Sequence, residues 1–184
     1  MRILALSGSL RGDSWNTTLL RAAAELLPGG VELVLHETLK AIPPFDEDDE
    51  RDPHGAVHAL REAVGGADAL LVATPEYNHS VPGQLKNAID WVSRPSSQPA
   101  LGRVPAAVIG ASTGLFGAVW AQAELRKVLG AAGAIVLDRE LPVGQAPQQF
   151  DAAGRLTSPE LRAELAELLA ELVASDRAGL PATA

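Results

Sequence analysis

The stretch Ser7-Gly8-Ser9-Leu10-Arg11-Gly12-Asp13-Ser14-Trp15-Asn16-Thr17 follows directly on the apolar run Ile3-Leu4-Ala5-Leu6 and concentrates groups that bind anions. Ser9, Ser14, Thr17 and Thr18 bring hydroxyls, Asn16 an amide and Arg11 a guanidinium, all within ten residues. Hydroxyls and amides are neutral donors, Arg11 is a charge-assisted fork, and an opening helix adds free N–H groups with a partial positive charge. A strand, a turn of this chemistry and a helix together predict a phosphate cradle at the carboxyl end of the first strand.

A second segment, Ala73-Thr74-Pro75-Glu76-Tyr77-Asn78-His79-Ser80-Val81-Pro82-Gly83, follows a later apolar run. Its two prolines stiffen the loop, and Tyr77, the one tyrosine of the chain, lies among polar residues. Rigid backbone N–H groups beside an aromatic side chain suit a flat heteroaromatic ring. His79 has no Ser or Asp partner in a catalytic pattern and reads as a bystander. A third loop, Gly110-Ala111-Ser112-Thr113-Gly114-Leu115-Phe116-Gly117-Ala118, follows another apolar run.

These loops need strands to carry them. Apolar runs at 3–6, 31–35, 69–73, 104–109 and 134–137 are short, rich in Val, Ile and Leu, and scarcely alternate, as strands buried on both faces should look. Helical patterns lie between them at 16–27, 54–65, 83–92 and 120–129, with a last one at 159–174. The alternation predicts an α/β fold of three layers, a five-stranded parallel sheet of order 2-1-3-4-5 with helices on both faces. Right-handed crossovers then set the loops after strands 1, 3 and 4 along one edge. The acidic run Asp46-Glu47-Asp48-Asp49-Glu50 reads as a solvated face, and 141–154 as a surface connection. Residues 1–175 are expected to form a single domain and 176–184 a flexible tail.

Composition narrows the chemistry. The 184 residues carry 15 basic and 23 acidic side chains, a net charge of −8, and no cluster of Lys or Arg in sequence, which argues against nucleic acid as partner. With no cysteine, thiol catalysis, disulfides and thiolate-held metals are excluded. No apolar stretch is long enough to span a bilayer and no leader is evident, so a soluble cytoplasmic protein without a membrane partner is expected.

The combination of Gly8-Ser9-Leu10-Arg11 and Ser14-Trp15-Asn16 with Pro75-Glu76-Tyr77-Asn78 and Pro82-Gly83-Gln84-Leu85-Lys86-Asn87-Ala88-Ile89-Asp90-Trp91 resembles the NADPH-dependent FMN reductases, a flavodoxin-like family that includes quinone, chromate and azo reductases. The resemblance runs from the first strand to about Leu137. It implies bound FMN, with NADPH or NADH as reductant and a small-molecule acceptor (a quinone, free flavin, azo compound or metal oxyanion) reduced by ping-pong hydride transfer. It places the FMN phosphate on Ser9, Arg11, Ser14 and Asn16, with Trp15 and Thr17 beside it. The ring falls against Pro75, Glu76, Tyr77 and Asn78, chiefly on backbone N–H groups, with Ser112, Thr113 and Gly114 as a second set. The chemistry resides on the cofactor, so no catalytic side chain and no metal are expected. Thr113 and Phe116 stand where many relatives have glycine or proline. The competing reading is a flavodoxin-type FMN electron carrier with no nucleotide site of its own.

The resemblance also implies a homodimer or homotetramer. On the helix 83–92, Leu85, Ile89 and Val92 recur at helical spacing while Trp91 falls off that stripe, which marks it as an expected interface anchor.

Overall fold

The unbroken runs of Val, Ile, Leu and Ala become strands that are covered on both faces. In a computed structural model, which describes residues 1–175, they are β1 (Arg2–Ser7), β2 (Glu32–His36), β3 (Ala69–Ala73), β4 (Pro105–Ala111), β5 (Ile135–Val136) and β6 (Pro142–Val143). The helices are α1 (Trp15–Ala24), α2 (Gly55–Gly65), α3 (Gly83–Val92), α4 (Val119–Ala131), a single turn α5 (Ala146–Gln149) and α6 (Pro159–Ala174). The expected tail at 176–184 lies outside the described residues.

All strand pairs are parallel and the order is β2-β1-β3-β4-β5, with β6 also on β4. Successive side chains of each strand enter opposite cores. Leu4, Leu6, Leu70, Val72, Ala106 and Val108 meet α2, α3 and α4. Ile3, Ala5, Leu71, Ala107 and Ile109 meet α1 and α6. This is a three-layer flavodoxin-like architecture.

Two expectations need correction. The segment 141–154 is no plain surface connection. After β5, Asp138, Arg139 and Glu140 leave the sheet edge, held by Arg126–Asp138 at 2.8 Å and Arg139–Glu167 at 3.0 Å. The chain then returns as β6, pairing Gly110 with Pro142 and Ala111 with Val143. Leu141, Val143, Ala146 and Phe150 are buried beneath it. Pro142 and the charged triplet mask this strand in the sequence.

The second correction is Trp91, which is wholly buried. Its indole Nε1 donates to the Pro43 carbonyl at 2.9 Å, and Phe45 packs edge-on at 4.8 Å. Asn87 Nδ2 donates to the same carbonyl at 2.7 Å, and Gln84 Nε2 donates to the carbonyls of Leu39 and Ile42, both at 2.8 Å. The outer face of α3 is thus covered by the chain's own loop 39–45, and Trp91 is a core residue instead of an interface anchor. The neighbouring acidic run faces solvent and forms a short 3₁₀ turn, Asp48–Arg51. Replacing Trp91 by Ala is expected to lower folding stability by about 3–5 kcal/mol, read as a shift in urea midpoint; a change near zero would contradict this burial.

Candidate functional site

The carboxyl ends of β1, β3 and β4 point the same way, so the loops that follow them meet at one edge of the sheet. Two close approaches let them meet. A Cβ on Gly8 would stand 2.7 Å from Leu85 Cδ2, and one on Gly110 would stand 2.9 Å from the Thr74 carbonyl oxygen. Between the loops opens a cleft of about 140 Å³. Its lining unites Ser9, Arg11, Ser14, Trp15 and Asn16 with Pro75, Glu76 and Tyr77, and with Ser112 and Thr113. Ala111, which the sequence reading omitted, completes it. Thr17, Asn78 and Gly114 stand off this cleft, Thr17 lining a neighbouring one.

On the first loop, Ser14 caps α1 by accepting from the Thr17 N–H at 3.3 Å. Asn16 is buried, and its amide closes a two-way bond with the end of β4. Nδ2 donates to the Ala111 carbonyl and the Ala111 N–H donates to Oδ1, each at 2.9 Å. The Asn16 side chain therefore holds α1 to β4, and what it offers to the cleft is its backbone. The N–H groups of Trp15 and Asn16, the first of α1, make no hydrogen bond to another described residue. Arg11 is exposed and likewise free of any ion pair with a described residue. The Trp15 ring stacks on Phe150 at 5.6 Å, so the buried return segment supports this wall.

On the second loop, Tyr77 and Ser80 exchange backbone bonds of 3.2 and 3.1 Å around Asn78 (φ 53°) and His79 (φ 60°). Two successive left-handed residues make a tight hairpin turn, a conformation that asparagine tolerates better than most. The Tyr77 N–H is engaged within this turn, whereas those of Glu76 and Asn78 have no partner among the described residues. The Glu76 carboxylate has a structural task. Its Oε2 accepts from the N–H groups of Trp120 and Ala121, both at 3.1 Å, and so caps α4, whose own cap position, Ala118, has no side-chain acceptor. A carboxylate at a helix N-terminus also opposes the helix dipole favourably. Glu124 on α4 answers by accepting from the Val81 N–H at 3.3 Å, bracing the loop at its other end.

The third loop is held from behind. The Ser112 N–H donates to the Val143 carbonyl at 3.0 Å, whereas the Thr113 N–H, like those of Gly114 and Leu115, has no partner among the described residues. A Cβ on Gly144 would fall 2.0 Å from the Leu115 carbonyl oxygen, so only glycine lets the return segment pass. Gln122, buried on α4, donates from Nε2 to the Gly117 carbonyl at 2.9 Å and accepts from the Leu141 N–H at 3.1 Å. The sequence reading missed Gln122; a polar residue on the otherwise apolar stripe of Ala121, Leu125 and Leu129 was the available signal.

The donors are of two kinds. Arg11, the Ser9 hydroxyl and the open N–H groups of α1 suit a phosphate monoester. The open N–H groups of Glu76 and Thr113, on the lining that also carries Trp15 and Tyr77, suit the polar edge of a flat ring. An FMN-like molecule fits this set, and no cluster of metal-binding side chains occurs among the described residues.

Comparison with known proteins points to the same cofactor. The family model of the NADPH-dependent FMN reductases matches residues 1–148. An NAD(P)H-dependent FMN reductase of Pseudomonas aeruginosa is 44% identical over 166 residues, covering 88% of each chain. A 2-hydroxy-1,4-benzoquinone reductase of a Burkholderia species is 36% identical over 163 residues, again with 88% of each covered. Among solved structures, the flavoenzyme NAD(P)H:acceptor oxidoreductase FerB of Paracoccus denitrificans superposes with a TM-score of 0.86 at 32% identity, covering 95% of this chain and 98% of the other.

Replacing Asn16 by Ala should cost about 2–4 kcal/mol of folding stability, because two buried backbone groups of Ala111 lose their partner at once. Denaturant titration checks it, and a loss below about 0.5 kcal/mol would mean that water or another side chain takes over the bond.

Proposed function

The chain belongs to the NADPH-dependent FMN reductase family, and from that premise we propose that its three-loop cleft holds FMN and serves electron transfer from NAD(P)H to quinones and related small-molecule acceptors. It is an FMN-dependent NAD(P)H oxidoreductase. The observation that carries the site assignment is the set of unpartnered N–H groups at the start of α1 and on the loop 74–82, gathered around one cleft with Arg11.

FMN held there would supply the hydride chemistry that links a nicotinamide to a small-molecule acceptor. The chain's residues bind and orient. Arg11, Ser9 and the Trp15 and Asn16 N–H groups neutralise and fix the phosphate, with Ser14 and Thr17 shaping the turn. Through their backbones Glu76 would meet the polar edge of the ring and Thr113 its second side, with Asn78 and Gly114, which lie off the cleft's lining, as further donors on the same loops. Pro75 and Tyr77 cover it. Glu76 holds that loop rigid through the α4 cap, so the ring is met by donors already in place. Phe116 and Trp120, edge-on at 5.1 Å and both exposed, form an apolar shelf beside the cleft on which a flat acceptor can rest.

Residues 1–175 act in this reading as one FMN-binding domain. No described helix is long and apolar enough to cross a membrane. A cytoplasmic location fits the supply of NAD(P)H. We infer a homodimer or homotetramer from the exposed apolar residues Leu10, Tyr77, Leu115 and Phe116 on the three loops and Trp120 in the first turn of α4. A dimer is expected by light scattering at micromolar concentration, and a monomer of about 19.2 kDa would refute it.

The flavin released from the purified protein should be FMN, not FAD, because no G-x-G-x-x-G turn admits a pyrophosphate after β1. The holoprotein should oxidise NADPH or NADH in the presence of a quinone, with the parallel double-reciprocal lines of a ping-pong enzyme. Bound FMN without nucleotide oxidation would instead indicate an electron carrier. Arg11→Ala should weaken FMN binding by about 1.5–3 kcal/mol, measured by flavin fluorescence, while wild-type affinity would move the phosphate elsewhere.

A further inference from the structure

On the other side of the β1–α1 loop lies a second, larger cleft, of about 280 Å³, most of whose lining the FMN assignment does not use. It opens between the ends of β1 and β2 and shares Ser9 and Arg11 with the first cleft, so the two are continuous around one loop. Its charge is unusual for this protein. Arg11, Arg21 and Lys40 converge on it, all exposed and none in an ion pair with a described residue, in a chain whose net charge is −8. Elsewhere Lys86, Arg126, Arg139 and Arg155 are paired with carboxylates, and Arg51 and Lys127, which likewise make no ion pair with a described residue, do not share a cleft with other cations. Here the only carboxylate in the lining is Glu37.

The remaining wall is apolar and polar in turn. Leu10, Leu35 and Leu39 give a surface for a flat base, and His36 lies at the end of β2 with Nε2 2.9 Å from the Thr38 hydroxyl. Burial holds the His36 imidazole below its usual pKa, so the positive charge of the cleft comes from Arg and Lys. Unpaired cations around an apolar-walled cleft describe a site for a phosphorylated nucleoside, with the phosphate at the cations and the base on the leucines.

We propose that this cleft receives a phosphate of the incoming pyridine dinucleotide, namely the 2′-phosphate that distinguishes NADPH from NADH. The assignment rests on the function proposed above, since it takes the adjoining cleft for FMN and the nicotinamide for its neighbour. Arg21 and Lys40 are the specificity-determining residues; Arg11 serves both clefts and is left intact in the test.

The test combines direct binding with kinetics on the FMN-loaded protein, wild type and the Arg21→Ala/Lys40→Ala double variant. Adenosine 2′,5′-bisphosphate should bind the wild type by calorimetry more tightly than 5′-AMP, and more weakly as salt is raised. The double variant should lose that preference. Its KM for NADPH should rise about five- to thirtyfold, the scale of two exposed ion pairs, with KM for NADH and FMN affinity unchanged. An equal rise for both nucleotides would move the cleft's ligand to the shared pyrophosphate and overturn the 2′-phosphate assignment. Unchanged binding and unchanged KM for both would overturn the site itself. If the protein takes up no FMN, the functional reading fails separately; calorimetry on the flavin-free protein then still reads the cleft, with a lost 2′,5′-bisphosphate preference in the variant supporting the site and none overturning it.

Discussion

The reciprocal amide bond between Asn16 and Ala111 is the point on which the site's construction turns. Three loops from three parallel strands can make one cleft only if their relative positions are held to within a fraction of an ångström. The hydrogen bonds of the sheet set the strands but stop where the strands stop. Asn16 continues that control by one step, locking the first turn of α1 to the last residue of β4 with two buried bonds of 2.9 Å. Such bonds are strong where water is excluded, and both backbone groups depend on one side chain.

Two further devices extend the same principle. Glu76 joins the loop after β3 to the N-terminus of α4, and Gln122 joins α4 to the returning segment at Leu141. In each case a polar side chain satisfies backbone groups that the regular elements leave open, and so turns a hydrogen-bonding obligation into a positional constraint. What remains unsatisfied is then informative. On the cleft's lining the N–H groups of Trp15, Asn16, Glu76 and Thr113 have no partner among the described residues, while those of Tyr77 and Ser112 are closed off by the chain itself.

The layers, the sheet order and the limits of α3 and α6 were legible because apolar periodicity and buried parallel strands leave a direct signature. Motif spacing also grouped most of the cleft's lining. Illegible features share a cause: they depend on partners far apart in the chain. Glu76 caps a helix 44 residues away, which no local pattern announces. Trp91 looked peripheral by helical spacing because the loop 39–45 that buries it carries no regular signal. The strand β6 was hidden by Pro142 and by the charged excursion before it. Asn16 was readable as polar and near the site, but its two-way bond to Ala111 appears only when β4 is in place.

The central claim is that the cleft among Ser9, Arg11, Trp15, Glu76 and Thr113 holds FMN, with its phosphate at the start of α1. A crystal structure of the FMN-loaded protein tests it most directly. The account predicts phosphate oxygens within hydrogen-bond distance of Arg11 and of the Trp15 and Asn16 N–H groups, and a ring edge facing the N–H groups of Glu76 and Asn78. A phosphate lodged instead among Arg21 and Lys40, or a ring outside the three loops, would contradict it.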